Sequence, residues 1–151
     1  FAAISEDLYN GESLADEDLE EHHIFPKAYC NREGLKIKLC ESIVNRIVIS
    51  KKSNRKLLDT SPREYFKDIL NQAKDSGTIV GAAARLQACF IPNSNSKNLD
   101  KNTEQFIEQF APAHFESFMI NRANLFLEEI QKVIGDSLET QPKPENEDED
   151  E

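Results

Sequence analysis

Three stretches decide the fold: His22-His23-Ile24-Phe25-Pro26, Ile43-Val44-Asn45-Arg46-Ile47-Val48-Ile49, and Ser50-Lys51-Lys52-Ser53-Asn54-Arg55-Lys56-Leu57-Leu58. The second is rich in β-branched residues, which fit a pleated, half-buried surface, and it reads as a strand. The first reads as a shorter strand, separated from the second by a loop that contains Asn31 and Gly34. In the third, Ser50 is placed to cap a short helix over Lys51–Leu58. The order is strand, loop, strand, short helix.

A helical cluster follows. Ser61-Pro62-Arg63-Glu64 is a capping box with proline at the first helical position. Tyr65, Phe66, Ile69, Leu70 and Ala73 recur at helical spacing, and Gly77 ends the run. Thr78–Cys89 is alanine-rich and predicts a helix, Asn93–Asn98 a polar loop, and Thr103–Phe110 a short helix. Pro112 opens a long helix with Phe115, Phe118, Met119, Leu125, Phe126, Ile130 and Val133 on its core face and Gly135 as its stop. The fold class is α+β.

Charge divides the chain unevenly. The 151 residues carry a net charge of −10. Residues 1–21 hold eight acids and no base, whereas residues 22–74 hold twelve bases and five acids. The acidic total therefore does not exclude a polyanionic partner for the basic segment. Residues 1–21 read as an acidic leader or linker. Residues 139–151 have no apolar side chain and read as a disordered acidic tail. Cys30, Cys40 and Cys89 lack the paired spacing of a disulfide framework or a structural zinc site, and they read as buried thiols in a reducing compartment. No apolar run approaches the ~18 residues of a membrane span.

His22, His23, Asn45 and Asn54 are nitrogen and oxygen donors set among basic residues. Phosphodiester hydrolysis needs such a set. A neutral imidazole takes a proton from the attacking water, and a divalent cation offsets the charge that builds on the phosphate. Imidazole and amide oxygen can hold the cation, and Lys51, Lys52, Arg55 and Lys56 can hold the phosphate backbone.

Taken together, His22-His23-Ile24-Phe25-Pro26, Asn45 and Ser53-Asn54 resemble the HNH endonucleases. With Pro62-Arg63-Glu64-Tyr65-Phe66 they look most like the C-terminal nuclease domain of GmrSD-type, modification-dependent restriction proteins. The resemblance covers about residues 20–135. It implies a small ββα-metal finger over about 20–58 and a mainly α-helical part over 61–135, within a nuclease domain of residues 22–138. It also implies that His22 and Asn54 are metal ligands, His23 is the general base, and Asn45 fixes the loop and orients the base. One divalent cation, Mg²⁺ or Mn²⁺, is expected; the family usually has a carboxylate where His22 stands, and this departure weakens the case for Mg²⁺ and leaves room for softer occupants such as Ni²⁺ or Zn²⁺. DNA is the expected substrate. The expected setting is a cytoplasmic, bacterial defence protein with an upstream nucleotide-binding domain. Arg122 is expected either in a helix-surface salt bridge or on a phosphate. A finger that binds nucleic acid without cutting it, and an acidic interaction domain with a structural His pair, are the competing readings.

Overall fold

The structure is a computed structural model and describes residues 5–139. It is α+β, with one small antiparallel sheet against a larger set of helices. Strand β1 (Leu19–His23) pairs with β2 (Arg46–Ser50) in the register His22 opposite Ile47 and His23 opposite Arg46. The connection between them, expected as a loop, carries two short helices, α1 (Lys27–Arg32) and α2 (Ile37–Cys40), and a 3₁₀ turn, Ile43–Asn45. Asn45 thus lies in the turn before β2 rather than on the strand. The β-branched run hides this boundary, because Ile43 and Val44 have strand propensity but sit in the turn.

Helix α3 (Lys51–Leu57) starts directly from β2, and Ser50 Oγ caps it by accepting from Ser53 N at 3.1 Å. Leu58, expected as the last residue of this helix, follows it with φ +40°. Helix α4 (Pro62–Asp75) opens with the complete Ser61/Glu64 capping box and buries Tyr65, Phe66, Ile69, Leu70 and Ala73, the face its spacing predicts. Helices α5 (Ile79–Ala88), α6 (Ser96–Lys101), α7 (Thr103–Glu108) and α8 (Phe115–Glu139) complete the fold. The expected loop Asn93–Asn98 is in part the start of α6. Asn95 Oδ1 accepts from Asn98 N at 2.9 Å, so a polar run that reads as loop is a helix cap.

The core is aromatic. The Phe25 ring lies 4.9 Å from that of Phe115 and 5.4 Å from that of Phe118, both edge-on. Phe66 stacks on Phe110 at 4.1 Å. Such pairs add specificity to the area they bury. Phe25, the residue after Ile24, therefore anchors the hairpin to the helical cluster. Tyr65 Oη strengthens the join by donating to Ile24 O at 2.6 Å.

Four expectations are corrected here. The acidic segment does not lead up to the body; it is part of it. Asp7, Leu8, Tyr9 and Leu14 are all buried. Helix α8 runs through Gly135 to Glu139, since one glycine costs only ~1 kcal/mol in a helix and does not by itself stop one. Ile130 and Val133, expected in the core, are 41% and 43% exposed, because the helix outruns the body and its last buried side chain is Arg122. Arg122 itself is neither a surface ion pair nor a phosphate contact. It is 2% exposed, and its guanidinium donates to Val44 O and, at 2.9 Å, to Cys89 O. The acidic tail expected over 139–151 lies, beyond Glu139, outside the described residues.

Candidate active site

β1 and α3 bring His22 and Asn54 together. His22 Nδ1 stands 2.9 Å from Asn54 Oδ1, across 32 residues of sequence. The hairpin places His22 on the face that α3 crosses, and the Ser50 cap sets where α3 begins. His22 is 3% exposed, with the Tyr65 ring edge-on at 5.6 Å. Burial lowers its pKa against a smaller opposing effect of the Asn54 hydrogen bond, so the ring is held neutral. Asn54 is held on its other side, where Nδ2 donates to Glu20 Oε2 at 2.7 Å.

Asn45 is fully buried and closes the turn between the strands. Its Oδ1 accepts from Phe25 N at 2.9 Å, while Nδ2 donates to Phe25 O at 3.0 Å and to Cys40 O at 2.8 Å. One side chain thus ties the chain just after the His pair to the end of α2.

His23 ends β1 and alternates with His22 across the sheet. Its side chain is 30% exposed, and Nε2 lies 3.9 Å from Glu41 Oε2. Glu41 also meets Lys27 Nζ at 3.2 Å and Arg46 Nη2 at 3.8 Å. Lys27 chiefly, with smaller help from His23 and Arg46, holds the Glu41 carboxyl below its ordinary pKa. Nε2 of His22 and of His23 are covered atoms with no hydrogen-bond partner among the described residues.

The donor set fits a divalent cation. The His22–Asn54 separation is that of a hydrogen bond, and it also equals the ~3 Å that separates neighbouring ligands of an octahedral ion with bonds of ~2.1 Å. Among the described residues, no three His, Cys, Asp or Glu side chains cluster as a metal site. A cation held here would take an amide oxygen from Asn54.

The four basic residues of α3 are not all free. Lys51 Nζ lies 4.0 Å from Asp18, and Lys52 Nζ 3.3 Å from Glu12. Lys56 Nζ stands 5.0 Å over the Tyr9 ring. Arg55 is exposed and shares an opening with Asp16, Glu17, Asp18, Lys51 and Lys52. The acidic segment therefore faces the basic helix. Asp7 holds it there: its Oδ2 accepts from Ser50 N at 2.7 Å and its Oδ1 from Ser53 Oγ at 2.8 Å.

Sequence reasoning missed Glu20, Asp7 and Glu41. For Glu20 a signal existed, since a residue two before His22 on a strand shares its face. Asp7 and Glu41 carry no local signal.

No known protein family matches the chain, and no solved structure does. The chain is similar to the Methanocaldococcus jannaschii protein named Uncharacterized protein MJ0686, at 27% identity over 134 residues, which is 85% of this chain and 23% of that protein. Among the described residues, no helix is long and apolar enough to cross a membrane.

Proposed function

We propose that the chain is a metal-dependent endonuclease domain of the HNH type that hydrolyses DNA phosphodiester bonds. The observation that carries this reading is the His22 Nδ1 to Asn54 Oδ1 pair at 2.9 Å, formed by residues that the resemblance names as ligands. The order β1, β2, α3 is the element order that a ββα-metal finger requires. A divalent cation bound there supplies charge neutralisation at the scissile phosphate and at the leaving oxygen.

The residues have separate tasks in this reading. His22, kept neutral by burial, and Asn54, clamped between His22 and Glu20, hold the cation. The resemblance assigns the proton transfer from the attacking water to His23, which stands on the opposite face of β1 from the His22–Asn54 pair, beside Glu41. Asn45 fixes the backbone at Phe25, two residues past His23, and so limits how the base can drift. Arg55 and the lysines of α3 hold the phosphate backbone. In a longer protein, an upstream nucleotide-binding domain and a role in defence against foreign DNA would accompany this activity.

The test is a supercoiled plasmid incubated with the purified chain and Mg²⁺, Mn²⁺, Ni²⁺ or Zn²⁺, against an EDTA control. Nicked or linear product that depends on the cation is expected. Intact plasmid with every cation would overturn the proposal.

A further inference from the structure

We infer that Glu20 is a third ligand of the cation site, supplying its anionic oxygen. The inference rests on the proposed His22–Asn54 pair and adds to it.

Four observations converge on this carboxylate. Glu20 Oε2 lies 2.7 Å from Asn54 Nδ2, so the same amide that meets His22 also meets Glu20. Glu20 and His22 are two apart in β1, which puts both on the face crossed by α3. Glu20 is half-buried, and its partner is a neutral amide. By contrast, Glu12, Asp18, Glu21 and Glu41 each face a Lys or an Arg. Finally, His22 and Asn54 are both neutral, and a hard divalent cation held by neutral donors alone is held weakly. The carboxylate that the resemblance leads one to expect at position 22 is thus present two residues earlier on the same strand face. Asn54 then has two roles: Oδ1 is a donor to the ion, and Nδ2 keeps Glu20 beside it.

A purely orienting Glu20 would hold Asn54 without touching the ion, and Glu20→Gln separates the two cases. A glutamine oxygen still accepts from Asn54 Nδ2, but the negative charge is gone. Mn²⁺ binding to the purified chain is measured by calorimetry for the unaltered protein and for Glu20→Gln, Glu20→Ala, His22→Ala and Asn54→Ala. Metal-free melting curves serve as the folding control. Mn²⁺-bound waters are counted by electron–nuclear double resonance. The expected result is a Glu20→Gln protein with an unchanged melting curve, Mn²⁺ affinity reduced at least ~10-fold, and one additional bound water; the water separates a lost ligand from a lost orienting partner, which can cost as much affinity. Glu20→Ala should behave the same way and, in addition, regain part of its affinity on adding formate. If His22→Ala and Asn54→Ala weaken Mn²⁺ while Glu20→Gln binds like the unaltered protein, Glu20 is not a ligand and the two-residue site stands. An unchanged water count in Glu20→Gln overturns the inference in the same way. If the unaltered protein takes up no Mn²⁺, the inference and the proposed function fall together.

Discussion

The side chain of Asn45 satisfies both backbone groups of Phe25, accepting from its N–H at 2.9 Å and donating to its carbonyl at 3.0 Å. Twenty residues separate the two. The same amide nitrogen also reaches Cys40 O, so three buried backbone groups depend on one residue. Removing it leaves Phe25 N and Cys40 O unpaired, at ~1 kcal/mol or more each, and leaves Phe25 O with only the weak thiol donors of Cys30 and Cys40. Asn45→Ala should therefore cost about 2–4 kcal/mol, read as a lower midpoint in urea. Asn45→Asp should be no better, because it keeps the acceptor, loses the donor and buries a charge. A midpoint unchanged in Asn45→Ala would show that the turn is held elsewhere. Cleavage should also fall in Asn45→Ala, since Phe25 lies two residues past His23.

The two histidines should fail differently. His23→Ala should lower the cleavage rate by ~10²–10⁴-fold, the usual loss for a general base, with Mn²⁺ affinity nearly unchanged. His22→Ala and Asn54→Ala should instead weaken Mn²⁺, and excess Mn²⁺ should restore part of the rate. His22→Asp should be tolerated and should shift the preference toward Mg²⁺, which favours oxygen donors. The roles are wrong if His23→Ala abolishes metal binding while His22→Ala leaves binding and cleavage intact.

Legibility of the sequence tracks the range of each interaction. The Ser61/Glu64 box, the Ser50 cap and the buried face of α4 depend on residues within one helix, and they were readable. The pairing of His22 with Asn54 is long-range and was readable only because a family pattern joins the two positions. Glu20 is legible only as far as its place on the His22 face of β1; its meeting with Asn54 depends on how α3 crosses the hairpin. The acidic segment misled for a different reason. Composition describes the average residue, and eight acids in 21 residues look solvated. One of them, Asp7, is buried by hydrogen bonds to Ser50 and Ser53, more than 40 residues away. Arg122 was misread because a charged residue on a helix is usually at the surface, whereas here two carbonyls and the Phe126 ring receive it.

The acidic segment should limit DNA binding. Glu12 and Asp18 already occupy Lys52 and Lys51, so on the proposed reading their carboxylates compete with the phosphates. Surface pairs of this kind are weak, so DNA can displace them at a cost. Replacing Glu12, Asp16, Glu17 and Asp18 by their amides should tighten DNA binding and steepen the dependence of affinity on salt. Replacing Lys51, Lys52 and Lys56 by Ala should weaken binding and flatten that dependence. Filter binding between 50 and 200 mM salt reads both. A salt slope unchanged in the lysine variant would remove α3 from the DNA interface.

Arg122→Met should destabilise the protein through the carbonyls it leaves behind. Val44 O sits in the 3₁₀ turn before β2 and Cys89 O at the end of α5, so the guanidinium joins the hairpin to two helices. Its own burial is costly, and this lowers its pKa to about 10. Methionine recovers part of that cost but strands both acceptors. A net loss of about 2–4 kcal/mol is expected, with Arg122→Lys intermediate because an ammonium cannot span two carbonyls as a planar fork does. Thermal melting reads the order. An Arg122→Met protein as stable as the parent would mean that the desolvation cost outweighs the two bonds.

The thiols should make the protein sensitive to alkali. Burial pushes Cys89 up to about 11, and it raises Cys30 and Cys40 as well. In the unfolded chain a cysteine ionises near ~8.5. The folded state therefore holds a proton that the unfolded state releases. This contribution to stability is complete below pH ~8.5 and is lost as pH rises from there through the folded pKa. At pH 10 the loss from Cys89 alone is about 2 kcal/mol. Urea midpoints should thus fall steeply between pH 8 and 10, and Cys89→Ala should show a shallower fall from a lower starting value. The same burial should keep all three thiols unlabelled by iodoacetamide at pH 8 until urea unfolds the chain. Rapid labelling of the folded protein would show that these groups are not enclosed.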